Sequence, residues 1–193
     1  MVLLFAGIVL FTGTHLFLGL APARANAIKQ NIGDNGLKAI LGVLSIAGLA
    51  LLVLGWRSSE PTWLYATPAP LHGVAMALIV VALYLFVVSN RPSAVKRLIR
   101  HPQLTGVVLW AAAHLLLNGD SRSLLLFGSM LVWALLEIPI INRREGPREK
   151  PTAPGLGTEL FTVVFALLFI AFLAYIHPWL AGVPAIAGLP SWP

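Results

Sequence analysis

Long runs of apolar residues, separated by short polar and charged stretches, dominate the chain. A bilayer core about 30 Å thick needs about 20 apolar residues for each crossing helix, and several of the runs reach that length. We therefore predict an all-α fold, a polytopic transmembrane helix bundle that forms one domain over residues 1–193. The predicted spans are residues 2–21, 37–56, 71–88, 103–117, 121–141 and 159–178.

The fourth run is the shortest, reading LTGVVLWAAAHLLL from Leu104 to Leu117. It spans a bilayer only with local thinning or with support from neighbouring helices, and a re-entrant segment is the alternative. The proline-interrupted apolar tail after Tyr175 is expected to lie at the outer membrane interface, with Trp179 and Trp192 as aromatic anchors.

Composition supports a membrane location, because 58% of the residues are hydrophobic and only 10% are charged. In soluble domains about 45–50% of the residues are apolar and about 25% are charged. The absence of cysteine excludes disulfides, thiolate metal sites and catalytic thiols. The formal charge of +6 is expected to reflect topology, not nucleic-acid binding, because basic residues flank membrane spans.

The basic residues are sorted between alternate loops, which predicts the orientation of the bundle. Only Arg57 and Arg122 lie in the second and fourth loops. Lysine and arginine accumulate on the cytoplasmic side, so six spans with cytoplasmic odd-numbered loops place both termini outside. The other loops carry Arg24, Lys29, Lys38, Arg91, Lys96, Arg97, Arg100, Arg143, Arg144, Arg148 and Lys150.

Two histidines lie inside predicted spans, where a polar side chain is a functional hypothesis by default. His15 is in the first span, and His114 is in the fourth, where Trp110, His114 and Asn118 share one helix face. Two neutral imidazoles on different helices, without cysteine or a carboxylate cluster, suit the iron of a haem better than zinc. The alternative is that each histidine only hydrogen-bonds across a helix contact.

His72 and His177 fall at span ends on the outer side, and we expect them to be structural.

Charged groups near the cytoplasmic surface allow two interpretations each. Arg100 and His101 precede the proline that opens the fourth helix, where they either bind an anion or a lipid headgroup or belong to an ordinary positive-inside cluster. Glu137, inside the fifth apolar run, is expected to pair with Arg143 or Arg144, and the alternative is a proton-handling role.

The segment RHPQLTGVVLWAAAHLLLNGD, from Arg100 to Asp120, resembles the signature of the NnrU family, and THLFLGLAPARA, from Thr14 to Ala25, resembles its opening. The resemblance implies a multispanning protein of the bacterial inner membrane, associated with nitrite and nitric oxide reduction in denitrification. It also implies partners among the nitrogen-oxide reductase machinery or a lipophilic substrate, besides membrane lipids.

The NnrU family is related to the 15-cis-zeta-carotene isomerases, which are membrane haem b proteins. That resemblance implies haem b with His15 and His114 as axial ligands. The isomerases have a cysteine three residues before the second histidine, and Ala111 stands there in this chain. A haem-dependent, isomerase-like enzyme therefore remains one hypothesis, without the ligand exchange that the cysteine allows.

Two other functions stay open. In the first, the protein is a non-enzymatic membrane factor that supports reductase assembly. In the second, it is an S-adenosylmethionine-dependent membrane methyltransferase, because those enzymes are similar in carrying an Arg-His-Pro element before a tryptophan-containing helix. The methyltransferases have a later pair of adjacent glutamates, whereas this chain has only the separated Glu145 and Glu149.

Overall fold

The structure is a computed structural model that describes residues 1–186, so the predicted anchor Trp192 lies outside the described residues. All regular secondary structure in that part of the chain is helical apart from one isolated β-bridge. The helices are α1 (Val2–Leu20), α2 (Pro22–Arg57), α3 (Leu71–Ser89), α4 (Val95–Leu98), α5 (Pro102–Leu117), α6 (Ser121–Glu145) and α7 (Leu156–Ala181).

Five of these helices, α1, α2, α3, α6 and α7, are long and apolar enough to cross a membrane. The sixth apolar helix, α5, has 16 residues and is correspondingly short for a crossing. The all-helical, membrane-type fold predicted from the apolar runs is therefore confirmed, while six crossings and the outward termini stay predictions.

The six apolar helices form a closed ring. Around the ring, α1 packs on α2, α2 on α7, α7 on α3, α3 on α5, α5 on α6, and α6 on α1. Apolar helices that follow one another along the chain alternate in direction, so the carboxyl ends of α1, α3 and α6 lie at the same end of the ring. We call this the basic end, because 11 of the 13 lysines and arginines lie there.

Residues 22–36, which connect the first two predicted spans, are helical in the structure except at Gly33. Helix α2 starts at Pro22, directly after α1, whereas the apolar pattern predicts a start at residue 37. The helix is broken only at Gly33, whose φ of +79° lies in the region that favours glycine. The polar composition that suggested a loop belongs to a helix that the rest of the chain leaves mostly exposed.

Glycines allow α1 and α2 to approach at backbone distance. A Cβ on Gly7 would lie 2.7 Å from the backbone nitrogen of Leu52, and one on Gly48 would lie 3.0 Å from that of Phe11. Small residues at such crossings are typical of membrane helix pairs, where close packing replaces the hydrophobic effect. This contact fixes how α1 is aligned along α2, and therefore the height of His15 within the bundle.

The segment between α2 and α3 covers the ends of α5 and α6. The backbone nitrogens of Leu64 and Tyr65 donate to the carbonyl of Gly119, and the Tyr65 hydroxyl donates to the carbonyls of Leu115 and Asn118. Asp120 caps α6 by accepting from two backbone amides of the first turn. The end of α5 that carries His114 is thereby held in place.

Candidate functional site

His15 lies in the second half of α1, half-buried against an aromatic wall. Its ring centroid is 4.4 Å from that of Phe11 and 5.2 Å from that of Trp133 on α6. Its Nδ1 atom is 2.8 Å from the carbonyl oxygen of Phe11, one turn earlier on the same helix.

His114 has the same arrangement on α5. Its Nδ1 atom is 2.8 Å from the carbonyl oxygen of Trp110, and its ring stacks on Phe127 of α6 with centroids 4.3 Å apart. The side-chain amide of Asn118 donates to the backbone carbonyl of His114. The predicted face of Trp110, His114 and Asn118 is therefore present as a set of contacts.

The two hydrogen bonds determine the tautomer of each ring. A carbonyl oxygen only accepts, so the Nδ1 atoms of His15 and His114 carry the proton, and in the neutral ring Nε2 keeps its lone pair. Within residues 1–186, neither Nε2 atom has a hydrogen-bond partner. Both bonds stay inside one helix, so neither histidine joins two helices by a hydrogen bond.

Helix α6 sets the relative position of the two imidazoles. His15 packs on Trp133 and His114 on Phe127, and these two aromatic residues are six positions apart. At 1.5 Å per residue the two contacts differ in depth by about 9 Å. Between them, Met130 and Ala134 are also buried on the inner face of α6.

Glu137 does not form the predicted ion pair with Arg143 or Arg144. It faces the interior and is 4% exposed, and in the described part of the chain Arg144 contacts Glu145 instead. The reason is the helix geometry, because six or seven residues place the arginines almost two turns nearer the basic end. That interpretation of Glu137 is therefore wrong.

Glu137 belongs to a polar group beside His15. It lies within electrostatic range of His15 and close to the Trp133 indole. Yet Glu137 Oε2 and Trp133 Nε1 are both buried without a partner of hydrogen-bond geometry in the described residues. Buried polar atoms without partners are rare, so this pair marks a place where a bound group has polar atoms to meet.

His177, on α7, lies within electrostatic range of His114. Trp56 of α2 links the two helices on this side, because its indole donates to the carbonyl of Ala181 on α7 and packs edge-on against Phe127, on which His114 stacks. Sequence reasoning missed this proximity, since no pattern shows which helices α7 packs against. His72, in contrast, is exposed at the start of α3.

The Arg100-His101 motif is occupied by contacts within the protein. Arg100 donates to the carbonyl of Gly146 and to Glu145 Oε2, and His101 Nε2 lies 2.9 Å from Asn142 Oδ1. These bonds tie the start of α5 to the end of α6. They describe a structural junction at the basic end, where an anion is not needed to explain either side chain.

The chemistry of the site is compatible with haem b. Neutral imidazoles whose Nδ1–H is held by a carbonyl present Nε2 in the form that ligates iron. Aromatic rings lie beside both imidazoles. No group of three or more metal-ligating side chains forms among residues 1–186.

A groove of about 720 Å³ runs between α1 and α6. Thr12 and Leu16 line it on α1, and Gly128, Ser129 and Trp133 line it on α6. Trp133 therefore separates this groove from His15.

The model of the NnrU protein family matches residues 3–185, nearly the whole chain. Comparisons with curated proteins and with solved structures gave no match.

Proposed function

The chain belongs to the NnrU family, and from that premise we propose that it is a membrane haem b protein in which His15 and His114 are the axial ligands. Its activity is redox-linked or isomerase-like, on a small or lipophilic substrate. Its partners are the nitrogen-oxide reductase machinery of a bacterial inner membrane and the surrounding lipids.

One observation carries this proposal. Each imidazole donates from Nδ1 to its own helix, and each keeps Nε2 without a partner in the described residues, half-buried beside aromatic rings. The bond to the preceding turn uses Nδ1 alone, so the lone pair of Nε2 stays available to a metal. The chemistry favours a ligand to metal.

Haem, when bound, supplies one-electron or Lewis-acid chemistry at its iron. The protein's own contribution is to hold the two imidazole rings in position. The carbonyls of Phe11 and Trp110 hold the two rings, and Trp133 and Phe127 restrict their rotation. Glu137 and Trp133 add polar groups on the α6 side of His15, where they are able to hold a proton or orient a substrate.

Absorption spectroscopy tests the proposal. The protein is expressed with haem supplied, purified in detergent, and measured oxidised and then reduced with dithionite. We expect a Soret band with sharp reduced α and β bands, as for six-coordinate b-type haem. The His15→Ala and His114→Ala variants should lose haem, whereas His72→Ala and His177→Ala should keep it.

His177→Ala is the sharpest control, because His177 lies near His114 without being a proposed ligand. Loss of haem in His177→Ala with retention in His15→Ala would indicate that His177 on α7, and not His15, is a ligand. A spectrum with protein absorbance alone, together with co-purified reductase subunits, would favour the non-enzymatic assembly factor.

Orientation is proposed on the charge pattern, with both termini outside. Alkaline phosphatase fused after residue 30 or residue 95 should be inactive, because both positions lie at the basic end. Activity at either position would contradict the cytoplasmic placement.

A further inference from the structure

Residues 22–32 form a helical extension of α2 that cannot lie within the same bilayer crossing. The 36 residues of α2 are ~54 Å long as a helix, well beyond a hydrocarbon core of about 30 Å. Gly33 interrupts the helix with φ +79° and ψ 167°. Ala25 is buried, whereas every other residue from Pro22 to Ile32 is exposed.

This extension is amphipathic in spite of its polar composition. Ala21, Ala25, Ile28 and Ile32 follow the spacing that places them on one face of a helix. Ile28 and Ile32 are 36% and 46% exposed, so the described structure leaves this half of the stripe partly uncovered, whereas it buries Ala25. Asn26 and Gln30 lie on the opposite face.

Basic side chains border the apolar stripe on both sides. By helical geometry Arg24 lies next to Ile28 at one edge, and Lys29 lies next to Ala25 at the other. Lys29 Nζ is 2.9 Å from Asp34, which also holds Lys38 at 2.6 Å. Arg24, Lys29 and Lys38 outnumber the one carboxylate of Asp34, so residues 22–38 keep a net positive charge.

The two ion pairs of Asp34 bridge the break at Gly33. Lys29 lies before it and Lys38 after it, so the same carboxylate holds both sides of the kink. The side chains of Lys29 and Lys38 remain 51% and 73% exposed. They are therefore still accessible to anions outside the protein.

We propose that residues 22–32 lie in the plane of the membrane interface at the basic end and bind anionic phospholipid headgroups. Ile28 and Ile32 enter the boundary between headgroups and acyl chains, and Arg24 and Lys29 contact the phosphates. An apolar stripe edged by basic residues is the pattern of interfacial helices, and charge complementarity selects an anionic lipid. This proposal is independent of haem binding.

Cysteine accessibility tests the placement, because the native chain has no cysteine. The full-length variants Ile28→Cys, Ile32→Cys, Asn26→Cys and Gln30→Cys are placed in nanodiscs of equal phosphatidylcholine and phosphatidylglycerol. A membrane-impermeant maleimide should label Ile28→Cys and Ile32→Cys several times more slowly than the other two. Equal rates on both faces would overturn the interfacial placement.

Charge removal tests the lipid specificity. Adding Arg24→Gln and Lys29→Gln to Ile28→Cys should raise its labelling rate by about fivefold for each basic residue removed. In pure phosphatidylcholine the same substitutions should change nothing. The matched control removes two charges from the connector before α7, as Arg148→Gln and Lys150→Gln, and should leave the rate unchanged.

Two results would contradict the lipid assignment. If Arg24→Gln and Lys29→Gln act equally in both nanodisc types, the charges hold the helix by contacts within the protein. If Ile28→Cys is protected only when other proteins are present, the stripe is covered by a protein partner. Misfolding is excluded as the cause of faster labelling if the variant with Arg24→Gln and Lys29→Gln has the same gel-filtration profile as Ile28→Cys alone.

Discussion

The guanidinium of Arg122 lies 4.3 Å from the ring centroid of Trp56, and the two residues join the start of α6 to the end of α2. The same guanidinium donates to the backbone carbonyls of Trp56 and Ser59. Asp120 provides a carboxylate 3.8 Å away. Arg122 is one of the two basic residues that lie away from the basic end. Its contacts show a structural role, because they join α2, the segment after it and the start of α6.

Substitution Arg122→Lys should destabilise the protein although it keeps the charge. Lysine lacks the planar fork that reaches two carbonyls while covering an aromatic ring. We expect a loss of about 1–3 kcal/mol in the free energy of unfolding. Thermal unfolding in detergent measures it, and Arg97→Lys in an exposed position is the matched control. Equal melting temperatures for both variants would contradict the structural role of Arg122.

Gly119→Ala should disturb the segment between α2 and α3. A Cβ at Gly119 would collide with the carbonyl oxygen of Tyr65, which is backbone and has no rotamer with which to escape. Overpacking of this kind costs about 1–3 kcal/mol. The melting temperature should fall, whereas Gly42→Ala, which meets open space, should leave it unchanged or raise it.

Phe127→Leu should weaken the junction of α2, α5 and α6. Phe127 has ring contacts with Trp56, Trp110 and His114, and it is 4% exposed. Aromatic pairs contribute about 0.5–1.5 kcal/mol each beyond the area they bury, so the expected loss is about 1–3 kcal/mol. The melting temperature measures it. The control Phe172→Leu changes an exposed ring on α7, and an equal effect there would refute the assignment.

Asp34 should titrate well below an ordinary aspartate. Hydrogen bonds from Lys38 and Lys29 lower its pKa from 3.8 to about 2. The stabilisation by its ionised form is therefore complete above pH 3.8 and is lost as the pH falls through about 2. Carbon-13 NMR of the carboxyl group measures the midpoint. Lys38→Met should raise it toward the ordinary value, and Lys96→Met should not.

The apolar helices were predictable because the length of an apolar run is a property of the local sequence. Helix α3 covers Leu71–Ser89 where the pattern predicts 71–88, and α5 covers Pro102–Leu117 where it predicts 103–117. The face that joins Trp110, His114 and Asn118 was also predictable, because residues one turn apart must meet on a helix.

The remaining features depend on which helices are neighbours, and no local pattern records that. The inward position of Glu137 follows from the packing of α6 in the ring, and the proximity of His177 to His114 follows from the meeting of α7 with α2. Residues 22–32 were misassigned because polarity alone does not distinguish a loop from an exposed helix.

The closure of the ring has a consequence for biosynthesis. The indole N–H of Trp56 finds its acceptor at Ala181, which leaves the ribosome 125 residues later. Until then α2 and α3 face the translocon or lipid on the side that α7 will occupy. Because the last helix seals the first hairpin, late truncations should leave an open arc of helices that membrane quality-control proteases recognise.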